Sequence, residues 1–374
     1  MTFYLLLFLT LMCSVIFAKN ANKAPRYYWC ASLPVIISYC TTYGFRDGWA
    51  IDYNVYYKLY EGLFSHVSID EYEYLFRNYI RLLTELGFPY SFFLISVSAI
   101  TIIAQLFLLK ENKKIILYAL PIFLLITIYQ SANLIRYFMA ISILNIGLYF
   151  LLKKKMYVFI GLSLISILIH TGTIILIPII LIFYKWNVFN NVRWTFVVYI
   201  LSFVFGSISQ YVNSSSINVV QGFVTFVLSF IGGDNQLSKY QDASAISDVL
   251  LGSRDKADIS IFYYISHFIF ATCFIFMGDI LKKLMGNIHN ICFFYNICVF
   301  ALILENLSLQ TEILTRIDIY FLYLIYIPLG YIFYFYKKNT LLKSFMPFLA
   351  ISLLYIIFSS LKSLQIFELN YIWD

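Results

Sequence analysis

The chain has 374 residues, 61% of them hydrophobic and only 12% charged, with a mean hydropathy of +0.82. Soluble domains carry about 25% charged residues. This composition therefore excludes a soluble enzyme and implies an all-α, polytopic transmembrane bundle. The net charge of +7 raises the question of a nucleic-acid partner, but the positions of the basic residues assign it to membrane orientation instead.

A bilayer core of about 30 Å takes roughly 20 apolar helical residues, and the chain offers about twelve such spans. They fall at 2–18, 27–43, 91–109, 115–129, 133–152, 156–169, 171–184, 194–211, 259–281, 290–308, 313–336 and 344–361. The first lacks a basic leader and a cleavage site, so it reads as a span and not as a removed signal peptide. Short basic turns at 19–26, 110–114, 153–155, 185–193, 282–283 and 337–343 alternate with the spans and mark the cytoplasmic side. Of the acids only Glu111 and Asp279 lie on that side. This alternation makes 156–184 two spans, because a single one would put Lys185 and Arg193 outside. Both termini then face outward, and the whole reads as one integral membrane domain, 1–374.

Two long loops, 44–90 and 212–258, lie on the outer side. The first opens with GFRDGWAIDYNVYY, from Gly44 to Tyr57. Ser68-Ile69-Asp70-Glu71 has the pattern of a capping box. A helix over 72–86 follows, with Leu75, Phe76, Tyr79, Leu82, Leu83 and Leu86 on one face. Glu73/Arg77 and Arg81/Glu85 pair at i, i+4 on the other, so the helix reads as interfacial, with Glu73 and Arg77 solvated. The second loop has an apolar segment, 217–231, and a polar one, 232–258. The six cysteines (Cys13, Cys30, Cys40, Cys273, Cys292, Cys298) lie in apolar segments without a C-x-x-C and read as core residues. The four histidines form no H-x-x-x-H, so neither a metal site nor a cofactor is expected.

Arg46, Asp52, Arg136, His170 and Arg316 are scattered in sequence, but the topology gathers them at one membrane face. Arg136 and Arg316 each lie near the N-terminus of a helix, where the helix dipole disfavours a cation. An anion held by both helix end and guanidinium would account for them, and the arginine fork suits phosphate oxygens. Each residue also has a plain reading. Arg136 and Arg316 fit snorkelling, and Glu312/Arg316 fits a surface pair. Asp52 fits an N-cap of a helix through Tyr60, and His170 fits a polar break. Tyr53, Tyr56, Tyr57 and Tyr60 recur at helical spacing, as packing residues do. Tyr53, Tyr56 and Arg77 are the candidate substrate-binding residues, the first-loop tyrosines and the polar stretch 232–258 being those suited to sugars.

Four short motifs resemble the EpsG/Wzy-type membrane polysaccharide polymerases, which extend bacterial O-antigens, capsules and exopolysaccharides. They are Phe45-Arg46 followed by Asp52-Tyr53-Asn54-Val55-Tyr56; Leu134-Ile135-Arg136-Tyr137; Lys153–Lys155 with an apolar run ending at His170; and Arg316 with Tyr320-Phe321. Two departures stand out. The family has a glycine nearer the Asp-Tyr pair, where this chain has Ala50-Ile51. It often has Lys or Arg after the histidine, where this chain has Thr171-Gly172. The resemblance implies a metal-independent transfer of a growing glycan from undecaprenyl pyrophosphate to another lipid-linked repeat unit, at the outer face of the bacterial inner membrane. It implies membrane lipid, a chain-length regulator and a flippase as partners, and no nucleic acid. In that chemistry Arg136, Arg316 and Arg46 would hold pyrophosphate, and Asp52 or His170 would be the general base, with Asp52 slightly preferred. A flippase for the same unit and an O-antigen ligase remain as alternatives, with a membrane acyltransferase less well matched by the short basic inner loops.

Overall fold

The computed structural model describes residues 2–48, 50–62, 72–209, 261–285, 289–308, 312–364 and 369–373. These are almost wholly helical, as lipid demands: a helix satisfies its own backbone hydrogen bonds where no water can. In chain order the α-helices are α1 (Thr2–Lys23), α2 (Tyr28–Gly44), α3 (Ile51–Tyr60), α4 (Tyr74–Glu85), α5 (Tyr90–Leu109), α6 (Ile116–Ile126), α7 (Ile128–Asn133), α8 (Ile135–Leu152), α9 (Met156–Ile169), α10 (Leu176–Lys185), α11 (Val192–Ser209), α12 (Ile261–Met285), α13 (His289–Ser308), α14 (Glu312–Tyr323), α15 (Tyr326–Phe335) and α16 (Thr340–Leu364). Two short strands, β1 (Arg46–Asp47) and β2 (Asn370–Tyr371), complete them. The expected capping box at 68–71 and the second outer loop, 212–258, lie outside the described residues.

Seven of the described stretches are long and apolar enough to cross a membrane: Thr2–Lys23, Tyr90–Leu109, Ile135–Leu152, Tyr264–Met285, Asn290–Leu307, Ile317–Lys338 and Thr340–Lys362. The hydropathy pattern expects about twelve. The difference lies mostly in helix length. Of the five other expected positions, four hold shorter helices, α2 with 17 residues, α6 with 11, α9 with 14 and α10 with 10, while the fifth, α11, has 18. At a rise of 1.5 Å per residue, helices of 10–14 residues span about 15–21 Å. α6 stops at Thr127, whose hydroxyl bonds back to the Phe123 carbonyl at 2.8 Å, and the chain resumes as α7.

The helices group into two compact units. The first comprises Met1–Thr173, Leu329–Tyr334 and Ile356–Asp374. At one of its ends three of the basic turns meet. Asn22 donates to the Lys113 carbonyl at 3.1 Å, and Glu111 accepts from Lys153 at 2.8 Å and from Tyr149 at 3.1 Å. Toward the other end a core of Tyr53, Tyr56, Tyr60, Phe76, Phe93 and Ile135 joins α3, α4, α5 and α8. There β1 pairs antiparallel with β2, Arg46 opposite Tyr371. The pairing is reinforced by the Tyr371 hydroxyl on the Thr42 carbonyl at 3.1 Å and by Phe45 against Trp373, ring centroids 5.5 Å apart.

Helix α4 departs from its expected bounds and, more consequentially, from its expected face. It buries Phe76, Ile80 and Leu83 and leaves Tyr74, Leu82 and Leu86 exposed. Its apolar arc is broad enough to serve two surroundings, protein on one side and an exposed apolar strip on the other, as an interfacial helix requires. The buried stripe continues backward to position 73. Glu73 is therefore not a solvated residue paired with Arg77: its side chain is only 7% exposed.

The second unit, Ile174–Pro328 with Phe335–Tyr355, carries its own polar knot at the 185–193 turn. Lys282 donates to the Phe189 carbonyl at 2.9 Å and sits 4.2 Å over the Tyr295 ring. Asp279 pairs with Lys283 at 2.8 Å, and Asn296 accepts from the Phe189 N–H at 3.1 Å. The basic turns at 185–193 and 282–283, expected on one side, are thereby joined.

Candidate functional site

Glu73 sits at the N-cap of α4 and reaches two other elements. Its Oε2 pairs with Nη1 of Arg136, the second residue of α8. Its Oε1 accepts from the Thr171 N–H at 3.0 Å and the Thr171 hydroxyl at 3.3 Å, and lies 3.4 Å from Nδ1 of His170. One carboxylate thus joins chain segments 63 and 98 residues away. Burial raises the Glu73 pKa, but His170, Arg136 and the Thr171 N–H outweigh it and hold the carboxyl at about 2. It is an anion at any physiological pH.

Arg136 is held on its faces as well. Its guanidinium carbon lies 5.0 Å from the Tyr72 ring centroid and 5.8 Å from that of Phe76. Cation–π contacts of this kind contribute about 0.5–2 kcal/mol. Only Nη1 is engaged by Glu73, and the side chain remains 20% exposed. A fork with one prong occupied retains donors for a further acceptor.

His170 ends α9 by adopting an extended conformation, φ −152° and ψ 108°. The chain then turns through a short 3-10 helix, Thr171–Ile175. The imidazole packs edge-on against Tyr137, with centroids 5.5 Å apart. Its other nitrogen, Nε2, faces Gly172, where a Cβ would come within 3.0 Å. The glycine thus leaves room beside the imidazole tip.

The remaining candidates are placed differently. Arg46 is buried, 3% exposed, and donates through Nη1 to the Tyr43 carbonyl at 3.0 Å and through Nη2 to the Ala132 carbonyl at 3.2 Å. Beside it is a cavity lined by Tyr39, Ser98, Thr101 and Ser131, with room for about one water. Two carbonyls engage this guanidinium from inside the fold, unlike the outward anion holder expected. Asp52 lies in the first turn of α3, half-buried, but the N-cap is Ala50, and no side-chain cap is made. Tyr53 and Tyr56 are buried, Tyr53 donating to Asp47 Oδ1 at 3.0 Å. Burial raises both phenols above their ordinary range. Arg77 is half-buried, 5.8 Å over the Tyr74 ring. Arg316 belongs to α14 in the second unit, and its side chain lies outside the described residues.

Asp52, Glu73, Arg136 and His170 thus fall in one unit, on elements that share the α3–α4–α5–α8 core. Residues 27–373 match the family model of the EpsG family. The chain belongs to the EpsG family. No curated protein and no solved structure matches it. In this EpsG-family chain the residue missed by sequence reasoning is Glu73. Its signal was present in the register: 73, 76, 80 and 83 share a helical stripe, and a carboxylate in line with Phe76, Ile80 and Leu83 is headed for the interior. The second unit holds a further ionisable pair, His267 Nδ1 on Glu305 Oε1 at 3.1 Å, beside Asn306, which donates to Ser202 at 2.9 Å.

Proposed function

We propose that this protein polymerises lipid-linked oligosaccharide repeat units, transferring a glycan from a lipid pyrophosphate, undecaprenyl pyrophosphate in bacteria, to the hydroxyl of an acceptor unit. The observation that carries the reading is the half-engaged Arg136 fork beside His170, at the end of the first unit away from its basic turns, in a member of the EpsG family. In the reaction the acceptor oxygen bonds to C1 of the donor sugar. The C1–oxygen bond to pyrophosphate breaks, with its electron pair leaving on the phosphate. The acceptor proton passes to a base. Charge grows on the leaving oxygen, and a preset guanidinium near the membrane stabilises it without reorganising. Arg136 is assigned that part, with Arg316 as a second candidate.

The base is assigned to His170 in preference to Asp52. Its Nδ1 is turned to a carboxylate, which steadies the ring and supports a positive imidazole, while Nε2 faces the space left by Gly172. Registering two long lipid-anchored substrates supplies much of the remaining rate gain. Product O-antigen or capsule would accumulate outside the inner membrane.

The test is complementation of a deletion strain with Arg136→Ala, His170→Gln, Asp52→Asn and Arg316→Ala, with surface glycan resolved on a gel. Arg136→Ala and His170→Gln are expected to lose the polymer ladder while one repeat unit is still exported. A normal ladder in both, with protein present, overturns the reading. Polymer retained on its lipid carrier would identify a ligase, and retention of the single unit inside would identify a flippase.

A further inference from the structure

An anion-binding site that already contains a carboxylate poses a problem. Glu73 occupies one prong of Arg136, a backbone N–H, a hydroxyl and the vicinity of an imidazole. That donor set is one a phosphate would also choose. Glu73 is therefore either a placeholder that the substrate's phosphate displaces, or a fixed part that aims the other groups.

Burial and partner number decide between them. Glu73 is 7% exposed, and its two oxygens bind different elements, Oε2 to α8 and Oε1 to the turn after α9. Displacing it would leave a buried charge without its donors, which lowers the affinity of any displacing anion by on the order of a hundredfold or more. It is also the N-cap residue of a helix whose Phe76 and Ile80 are packed into the core, so its backbone is fixed where it stands. As a fixed part it does two things. It holds Arg136 by one prong between Tyr72 and Phe76, with the rest of the fork available. It also turns Nδ1 of His170 inward, setting Nε2 toward Gly172.

We infer that Glu73 is the positioning residue of the site, a permanent internal carboxylate that sets the Arg136 fork for a pyrophosphate and orients His170. The inference rests on the proposed polymerase reading for its substrate, but not for its first test. That test is binding of inorganic pyrophosphate to the full chain in lipid nanodiscs. Glu73→Gln is expected to weaken binding by about tenfold, the loss of one charge-assisted contact, with Glu73→Asp intermediate. Tighter binding in Glu73→Gln would mean a placeholder and overturns the inference. Unchanged binding would mean a merely structural contact and also overturns it. Should Glu73→Gln fail to fold, Glu73→Asp carries the same three outcomes.

The second test is turnover on a lipid-pyrophosphate repeat unit, expressed per folded molecule. Glu73→Gln is expected to lower kcat at least tenfold, with a smaller change in KM, and Glu73→Asp to recover part of it. An unchanged kcat, with Arg136→Ala inactive, sinks the positioning role alone. Activity retained in Arg136→Ala and His170→Gln sinks the polymerase reading, and the pyrophosphate measurement still decides the role of Glu73.

Discussion

Arg46 and Arg136 lie at the same end of the first unit, and by sequence they carried the same expectation. The fold separates them. Arg46 is engaged by two main-chain carbonyls and is 3% exposed, whereas Arg136 gives one nitrogen to a carboxylate, stacks on two rings and is 20% exposed. The first guanidinium fastens the end of α2 to the end of α7. The second is stiffened but not consumed. Arg46 donates to the main chain inside the fold and Arg136 to a carboxylate at a partly exposed site, which is what the role proposed for Arg136 requires.

Replacing each by lysine tests this contrast most directly, and with the largest effects. Arg46→Lys cannot reach both carbonyls, and a stranded buried acceptor destabilises by roughly 1–3 kcal/mol, so less protein is expected, with normal turnover per folded molecule. Arg136→Lys keeps the charge but loses the fork. It should fold normally and lose about a hundredfold in turnover, in the range seen when one oxyanion donor is removed. Full activity of Arg136→Lys, or an inactive but abundant Arg46→Lys, would erase the distinction.

Acid sharpens it next. The folded Glu73 carboxyl is depressed from 4.5 to about 2, so it adds stability that is fully present above pH 4.5 and is lost as the pH falls toward 2. The contribution is on the order of 3 kcal/mol. Melting curves in detergent should show a constant gap between wild type and Glu73→Gln above pH 4.5, narrowing below it. A gap independent of pH would mean that Glu73 is not an anion in the fold.

A smaller effect is expected at Gly172. Its φ is unremarkable, so alanine there changes little except the space beside His170 Nε2, where the new Cβ would sit at 3.0 Å. Gly172→Ala should lower turnover about tenfold, the lower end of what general-base catalysis contributes, without lowering the melting temperature. Normal turnover would return the base to Asp52. The smallest effect concerns Ala50, which holds φ +88° and ψ 146° at the start of α3, a region that essentially only glycine occupies without strain. Ala50→Gly should stabilise by about 1 kcal/mol, visible as a raised melting temperature.

Much of the fold was legible because lipid leaves few options. Long apolar runs became helices, and the turns at 19–26, 110–114 and 153–155 met through Asn22, Lys113, Glu111 and Lys153 as alternating charge implied. Less legible were the helix lengths. Nothing in an apolar run announces that Thr127 will bond back to Phe123, or that α9 will stop at His170 after 14 residues. At the site, Arg136 and His170 could be named because ionisable groups are rare in such a chain, but their partner could not. Glu73 and Arg77 satisfy the i, i+4 rule, and that local rule masked the stripe running through Phe76. The partners of Arg46 were illegible for the converse reason: the carbonyls that receive it, at Tyr43 and Ala132, belong to the main chain and leave no mark in the sequence.

The pairing of β1 with β2 has a consequence for counting. Hydrogen-bonded strands cannot lie on opposite sides of a hydrocarbon layer, so Asp47 and Asn370, partners in that ladder, share one side. The chain between them must cross an even number of times. Six of the seven long apolar stretches fall within that interval. If those six all cross, the remaining crossings, from the shorter stretches at 116–133, 156–169, 176–185 and 192–209 and from the residues outside the described ones, must be even in number. If 116–133 and 192–209 both cross and no segment outside the described residues does, then 156–185 is not a single traverse. The parity set by one two-residue ladder at the end of the chain thus constrains the membrane path at His170, some two hundred residues earlier in sequence.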